Sequence, residues 1–413
     1  MTKTRKDNKG RVLLRGESQR SQDLRYVYSF TDPMGRRKYI YATDLLELRR
    51  KEEKLKRDRL DGLDIYLAGK ATINSVFDQY ISTRDDLRKT TKSGYEYTYN
   101  HYIRDGFGRR LICDIRFSDV WDFYHHLLKD LNLKSATVDN VHRVLNPVFK
   151  LAVRDDIIRK NPTEGVMAEV RKAAGKDGKV RHALTREQQK AFLGFIKGHP
   201  VYGHWHPLFV VLFGTGCRIG EIAGLRWQDL DFEEGSISIN HALVIYTERI
   251  GGKGKTRLGI SIPKTEAGTR TVPMLSEVEE AFRTVYADHR ETGFNVEEID
   301  GMSGFVFKNR YGNVIRAGSL NKAIAGIVSH YNYGEMLKAK KERRKPVLIP
   351  GFSCHYTRHT FCARFCEEET NIKVIQTVMG HRDVRTTMDT YAEVTEARKK
   401  EAINKLSENM DIF

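Results

Sequence analysis

The stretch from His355 to Tyr391 gathers side chains that could together handle a phosphate group: His355-Tyr356-Thr357-Arg358, Gly380-His381-Arg382 and Thr390-Tyr391-Ala392. A tyrosine hydroxyl is a weak nucleophile at its ordinary pKa and needs neighbouring groups before it attacks anything. His355 and Arg358 are three residues apart, so on a helix both leave the same face and can converge on one anion. Arginine suits that task, because its planar, permanently charged fork donates paired hydrogen bonds to phosphate oxygens. An imidazole can donate to the same anion or carry a proton. His381 follows a glycine at which a helix is expected to end. The set reads as a phosphate site with a nucleophile.

At these residues the chain resembles the tyrosine recombinases, the integrase family of phage lambda and Cre, and most closely the integrases of conjugative transposons. The family's H-x-x-R, G-H and T-Y elements correspond to His355/Arg358, Gly380-His381 and Thr390-Tyr391, and its first arginine to Arg218 in Gly216-Cys217-Arg218-Ile219-Gly220-Glu221. Order and spacing carry the resemblance; any one element alone is weak. The resemblance implies that Arg218 and Arg358 clamp the non-bridging oxygens, His381 donates a further hydrogen bond, His355 assists proton transfer and Tyr391 attacks. It also implies that Lys264, in Pro263-Lys264-Thr265, protonates the leaving oxygen from a hairpin tip, and that Glu221 orients Arg218. Lys253 and Lys255 are rivals to Lys264 by residue type, in a Gly-rich stretch that reads as a mobile DNA-contacting loop. The chain departs from the family at Glu393, where many relatives carry histidine; Tyr391 itself is unaffected.

The implied chemistry is a pair of transesterifications per strand through a covalent 3′-phosphotyrosyl link. Bond energy is retained, so no cofactor is expected. Cys354, His355, His359, Cys362 and Cys366 crowd one helix-length stretch, but they contain no C-x-x-C and cannot supply a tetrahedral shell alone, so no metal is expected. A type IB topoisomerase would share the arginines, a histidine and the tyrosine, and a non-catalytic DNA-binding regulator would share the charge. The separate basic N-terminal unit argues for pairing of two DNA sites, and the assembled residue set argues for catalysis.

The elements that must position these residues belong to a chain of 413 residues with 40% hydrophobic content, enough for two or three domains. The formal net charge of +17 implies a polyanionic partner. No apolar run approaches the roughly 20 residues that span a bilayer, and Met1 to Lys9 has no apolar signal core, so the expectation is a cytoplasmic protein without membrane contact. Five cysteines without regular spacing favour reduced thiols.

The expected fold is multidomain α+β. Residues 1–63 carry about +8 of the charge and read as a three-stranded sheet (Arg11 to Arg15, Leu24 to Phe30, Lys38 to Tyr41) with a turn at Asp32-Pro33-Met34-Gly35, backed by a helix from Thr43-Asp44 to about Leu60. Arg25, Arg36, Arg37 and Lys38 on this sheet suit a face laid on DNA, and the resemblance makes it an arm-site binding domain. Residues 70–165 read as an all-helical domain, from Ile73, Val76, Phe77 and Tyr80 onward. The resemblance makes this domain the core-site binder. Lys89, Lys92 and Lys134 stand at its helix starts, where lysines and backbone N–H groups grip phosphate or, more plainly, cap a helix. Val166 to Lys179 reads as an exposed basic linker, and Lys338 to Lys345 as an exposed connection.

Residues 180–399 read as a catalytic domain, mainly helical with a small antiparallel sheet: strands from Ser236 to Tyr246 and Arg257 to Ile262 and an apolar helix from Pro207 to Phe213 ahead of Gly214-Thr215-Gly216. Residues 400–413 are expected to be a tail which, by the resemblance, is exchanged between subunits. The partners implied are double-stranded DNA at core and arm sites, a homo-oligomer that is tetrameric on two DNA sites, and an excisionase or DNA-bending protein.

Overall fold

The computed structural model describes residues 5–31, 37–60, 70–174, 183–250, 253–263 and 268–392, and the chain divides into two compact units, Met1–Lys179 and Val180–Phe413. The first unit begins with an antiparallel sheet of order β1 (Glu17–Gln19), β2 (Tyr26–Thr31) and β3 (Arg37–Ala42), followed by α1 (Leu45–Leu60). Leu13, Tyr26, Ala42, Leu45 and Leu48 form its core.

The expected first strand at Arg11 to Arg15 lies elsewhere. The Asp7 carboxylate accepts from the backbone N–H groups of Lys9 and Arg11, folding that run into a tight loop in which Val12 pairs with Lys6 only as an isolated bridge. The strand starts instead at Glu17, whose buried carboxylate takes the Arg49 guanidinium of α1 and the Leu14 N–H. The turn expected at residues 32–35 lies outside the described residues.

The rest of this unit is helical: α2 (Ile73–Ser82), α3 (Lys89–Tyr102), α4 (Phe117–Lys129), α5 (Ser135–Arg154) and α6 (Val166–Ala174). Helical spacing places Val76, Phe77, Tyr99, Tyr124, Val141, Leu145 and Val148 in one core. The linker expected from Val166 begins later, because Val166, Met167 and Val170 sit one turn apart and bury themselves in that core, making Val166–Ala174 a packed helix.

The second unit opens with α7 (Arg186–Ile196), capped at Thr185 by a reciprocal bond pattern with Gln188. Then come the apolar α8 (His206–Thr215) and the short α9 (Ile219–Ala223). Strands β4 (Leu230–Asp231), β5 (Ser236–Ile239) and β8 (Arg270–Pro273) form one antiparallel sheet, and β6 (Ala242–Ile250) with β7 (Lys253–Ser261) a separate hairpin.

The single strand expected from Ser236 to Tyr246 is therefore two, broken at the buried His241, whose Nε2 bonds the Gly224 carbonyl at 2.5 Å. Lys253 and Lys255 are not in a loop. They pair in β7 with Ile250 and Glu248, because residues 242–250 and 253–261 zip over nine pairs. The unit is completed by α10 (Ser276–Thr292), α11 (Ala317–Glu342), α12 (Cys354–Glu368), α13 (Ile372–Met379) and a helical segment, α14, at 384–392. Lys338 to Glu342 are the last turn of α11, and Arg344 folds back on the Glu335 carboxylate, so the expected open connection is largely helix end. A large core centred on α8, α10 and α11 supports a smaller one of Cys362, Ala363, Cys366, Ile375 and Met379 between α12 and α13.

Candidate active site

Arg218 is delivered by a forced turn. Helix α8 ends at Gly216, whose backbone is left-handed (φ 62°) and whose missing side chain leaves room for the Phe361 ring; a Cβ there would come within 2.3 Å of it. Two residues on, Arg218 caps α9, and Glu221 closes the cap: its carboxylate accepts from the Arg218 backbone N–H at 2.9 Å and from Nη1 at 2.8 Å. Glu221 is buried, while the Arg218 side chain is 44% exposed. The pair is thus a buried carboxylate steering a guanidinium whose face remains open.

Arg358, on the second turn of α12, is buried at 4% exposure. Its Nη1 donates to the Gly216 carbonyl at 2.8 Å and its Nη2 to the Met379 carbonyl at 2.5 Å. Among the described residues no carboxylate forms an ion pair with it; Glu221 is engaged by Arg218 and by Arg270. Burial, then the neighbouring Arg218 charge, pulls its pKa down to about 10. A buried cation held by main-chain carbonyls next to a second arginine leaves positive charge without a carboxylate partner among the described residues.

His381 follows the left-handed Gly380 (φ 61°) that ends α13. Its Nδ1 lies 2.9 Å from the Thr387 hydroxyl, which is buried on α14 four residues before Tyr391. When that hydroxyl donates to Nδ1, the imidazole proton resides on Nε2. Burial, followed by the charges of Arg358, Arg218, Arg270 and His355, lowers the imidazole pKa to about 4, so the ring is neutral at physiological pH. His355 is exposed at the first turn of α12. The Tyr391 ring packs, partly buried, against the small core between α12 and α13. Cys362 and Cys366 are buried members of that core, and Cys354 bonds Asn321.

The structure thus brings Arg218, Glu221, Arg358, His381 and, through its charge, His355 into one neighbourhood, with Tyr391 on a helix tied to it through Thr387. Lys264 and Arg36 lie outside the described residues, as does everything after Ala392. Arg25, just ahead of β2, and Arg37, at the start of β3, are exposed, but strand alternation puts Lys38 on the opposite side from Arg37, with Ile40 and Ala42. Lys89 is the first residue of α3, with Lys92 one turn on near Asp85, and Lys134 is the N-cap of α5; neither helix has a side-chain cap. Lys255 is exposed on the hairpin.

Two participants escape the sequence reading. Arg270 begins β8 buried at 8% exposure, with Nη2 and Nη1 on the two Glu221 oxygens (2.8 and 3.3 Å) and Nε on the Val378 carbonyl at 2.8 Å. Its signal was alternation: Arg270 shares the inward face of the strand with Val272, where an arginine must find partners. Thr387 had no signal beyond its helical spacing to Tyr391. Burial raises the Glu221 pKa, but the Arg270 bonds and charge and those of Arg218 outweigh it and hold the carboxyl at about 2.

With this geometry in view, a family model described as the phage integrase family matches residues 182–398. The chain belongs to that family. It is a tyrosine recombinase of the integrase kind, and residues 1–59 match the DNA-binding domain of tn916 integrase. The transposase from transposon Tn916 of Enterococcus faecalis is 32% identical over 408 residues, covering 96% of this chain and 95% of that one. The Tn1545 transposase of Streptococcus pneumoniae is equally similar. Among solved structures, the Tn1549 transposon integrase in complex with circular intermediate DNA is 30% identical with a TM-score of 0.65, over 80% of this recombinase and 99% of that chain. No helix among the described residues of the recombinase is long and apolar enough to cross a membrane.

Proposed function

We propose that this recombinase integrates and excises a mobile DNA element by strand exchange at Tyr391. The observation that carries the reading is Arg358: a buried guanidinium bonded to main-chain carbonyls, beside an open Arg218, offers paired donors to a phosphate. The Tyr391 oxygen attacks the scissile phosphorus, the bond from phosphorus to the 5′ oxygen breaks, and a 3′-phosphotyrosyl link forms. Lys264 supplies the proton to the departing 5′ hydroxyl, and His355 assists transfer at the entering tyrosine. Arg218, Arg358 and Nε2–H of His381 meet the negative charge that grows on the non-bridging oxygens. The 5′ hydroxyl of a second strand then attacks the phosphotyrosine and releases Tyr391, so bond count and energy are conserved.

The same reading assigns residues 1–63 to arm-site DNA, 70–165 to core-site DNA and 180–399 to catalysis, with Arg25, Arg36, Arg37, Lys38, Lys89, Lys92, Lys134, Lys253 and Lys255 as phosphate contacts. It also holds that the chain works as a homotetramer on two sites, with residues 400–413 exchanged between subunits and an excisionase or DNA-bending protein setting direction. The similarity to transposon integrases, one of them captured on circular intermediate DNA, supports the mobile-element substrate.

A suicide substrate nicked beside the crossover tests the chemistry. The full chain should form a denaturant-resistant protein–DNA adduct, and Tyr391→Phe should bind the same DNA and form none, since only the hydroxyl is lost. An adduct from the phenylalanine variant would move the nucleophile elsewhere.

A further inference from the structure

The C-terminal end of α13 presents three successive carbonyls, and each is taken by a different arginine. Val378 accepts from Arg270 Nε at 2.8 Å, Met379 from Arg358, and Gly380 from Arg218 Nη2 at 3.1 Å. A helix end carries the negative pole of the peptide dipoles, so three cations there are mutually tolerable where they would otherwise repel.

Two of these arginines keep donors for substrate. Arg218 and Arg358 each show two nitrogens engaged, with N–H groups to spare. Arg270 differs. Its side chain is 4% exposed, and all three nitrogens are committed: Nε to Val378, Nη1 to Glu221, and Nη2 to Glu221 and the Cys217 sulfur at 3.6 Å. Its guanidinium also lies close to Gly380, where a Cβ would come within 2.9 Å of Nη1.

We propose that Arg270 is a positioning residue for strand cleavage, locking Arg218 through Glu221 and His381 through the last turn of α13. The proposal rests on the reading of Arg218 and His381 as phosphate-binding groups. Arg270 sits where one side chain touches both halves of that clamp: the cap of α9 that aims the first arginine, and the turn that immediately precedes the histidine. Lysine there retains charge but offers one nitrogen, which cannot bridge a carboxylate and a carbonyl on opposite sides.

The test is single-turnover cleavage of a nicked core-site duplex by full-length Arg270→Lys, Arg218→Lys and the double variant, alongside site binding and thermal melting. Arg270→Lys is expected to bind DNA within about two-fold of the parent and to cleave about 10- to 100-fold more slowly, the scale of an ångström misplacement. Arg218→Lys should slow cleavage about 100-fold, and the double variant should lose less than the product of the two, because one residue acts through the other. A merely structural Arg270 would give multiplicative losses, or losses that follow the melting temperature, and either result overturns the proposal, as does a parental rate for Arg270→Lys. Should Arg270→Lys fail to fold, Glu221→Gln/Arg270→Gln removes both buried charges together and spares the fold an unpaired carboxylate; it must still cleave at least 10-fold more slowly, and a parental rate overturns the idea. If Arg218→Lys alone cleaves like the parent, the clamp reading itself has failed, independently of Arg270.

Discussion

His381 stays neutral first because it is partly buried and then because Arg358, Arg218 and Arg270 surround it with positive charge. The sign of the resulting pH dependence follows. Its folded pKa of about 4 lies below the ordinary 6.5, so between those values the unfolded chain binds the proton more readily than the folded one. The stability it contributes is complete above pH 6.5 and is lost as pH falls toward 4. Melting curves at pH 7 and pH 5 should therefore show a larger drop for the parent than for His381→Asn; equal drops would mean that other histidines govern acid lability.

At the same scale, Thr387→Val removes the hydroxyl that fixes the imidazole. It should slow covalent adduct formation about ten-fold, a part of what general acid–base and oxyanion groups supply, while leaving site binding unchanged. Adduct formation at the parental rate would show that His381 needs no orientation from α14.

At the scale of elements, the site depends on two helix ends, at Gly216 and Gly380, where a left-handed backbone leaves little room for a Cβ. Gly216→Ala would place an L side chain at φ 62° with its Cβ 2.3 Å from the Phe361 ring, in a turn whose carbonyl also holds Arg358. The left-handed backbone costs about 1–2 kcal/mol and the overlap a further ~1–3 kcal/mol. Chemical denaturation should report a loss within that combined range; a loss under about 1 kcal/mol would mean that the turn repacks freely.

Much of this level was legible in sequence. The apolar run before Gly216 and the spacing of Val138, Val141, Val144, Leu145 and Val148 needed nothing beyond helical period. What was not legible depended on partners distant in the chain. Val166–Ala174 looked like a linker because its basic residues stand out beside the three apolar ones that bury. The run at Arg11 looked like a strand because Asp7's capture of the backbone leaves no periodic trace. Lys253 and Lys255 looked like loop residues because glycine signals a turn, while the hairpin register that draws them into β7 is set by the opposite strand. His355, Arg358, His381 and Tyr391 could be read as a set from residue type and order and Arg218 from the family resemblance, whereas alternation marked Arg270 only as facing inward, its partners Glu221, Val378 and Cys217 being distant in the chain.

For the whole molecule, the net charge of +17 is spread unevenly, with about +8 before Leu63. Arg37, Tyr39 and Tyr41 alternate on the exposed side of β3, offering a cation and aromatic surface together. Deleting residues 1–63 should leave cleavage of core-site DNA intact and abolish a second, salt-sensitive footprint. In the full chain, the logarithm of affinity for that footprint should fall with log salt by about 0.9 for each phosphate that the segment neutralises. Footprinting at two salt concentrations checks this, and failure of a folded deletion variant to cleave core-site DNA would make the segment part of the catalytic clamp.

Two of the arginines at the end of α13 reach it from far along the chain, Arg218 being separated from Gly380 by 162 residues and Arg270 from Val378 by 108, while Arg358 lies only 21 residues before Met379 and reaches back 142 residues to Gly216. Pairings of such sequence separation form late, after the entropy of closing long loops has been overcome. During synthesis α13 leaves the ribosome long after Arg218 and Arg270, and until it arrives those two arginines have no helix end to hold. A chain that ends before Val378 therefore makes none of the three arginine–carbonyl bonds. The last turn of α13 is thus the piece that ties three arginines from separate parts of the chain to one place.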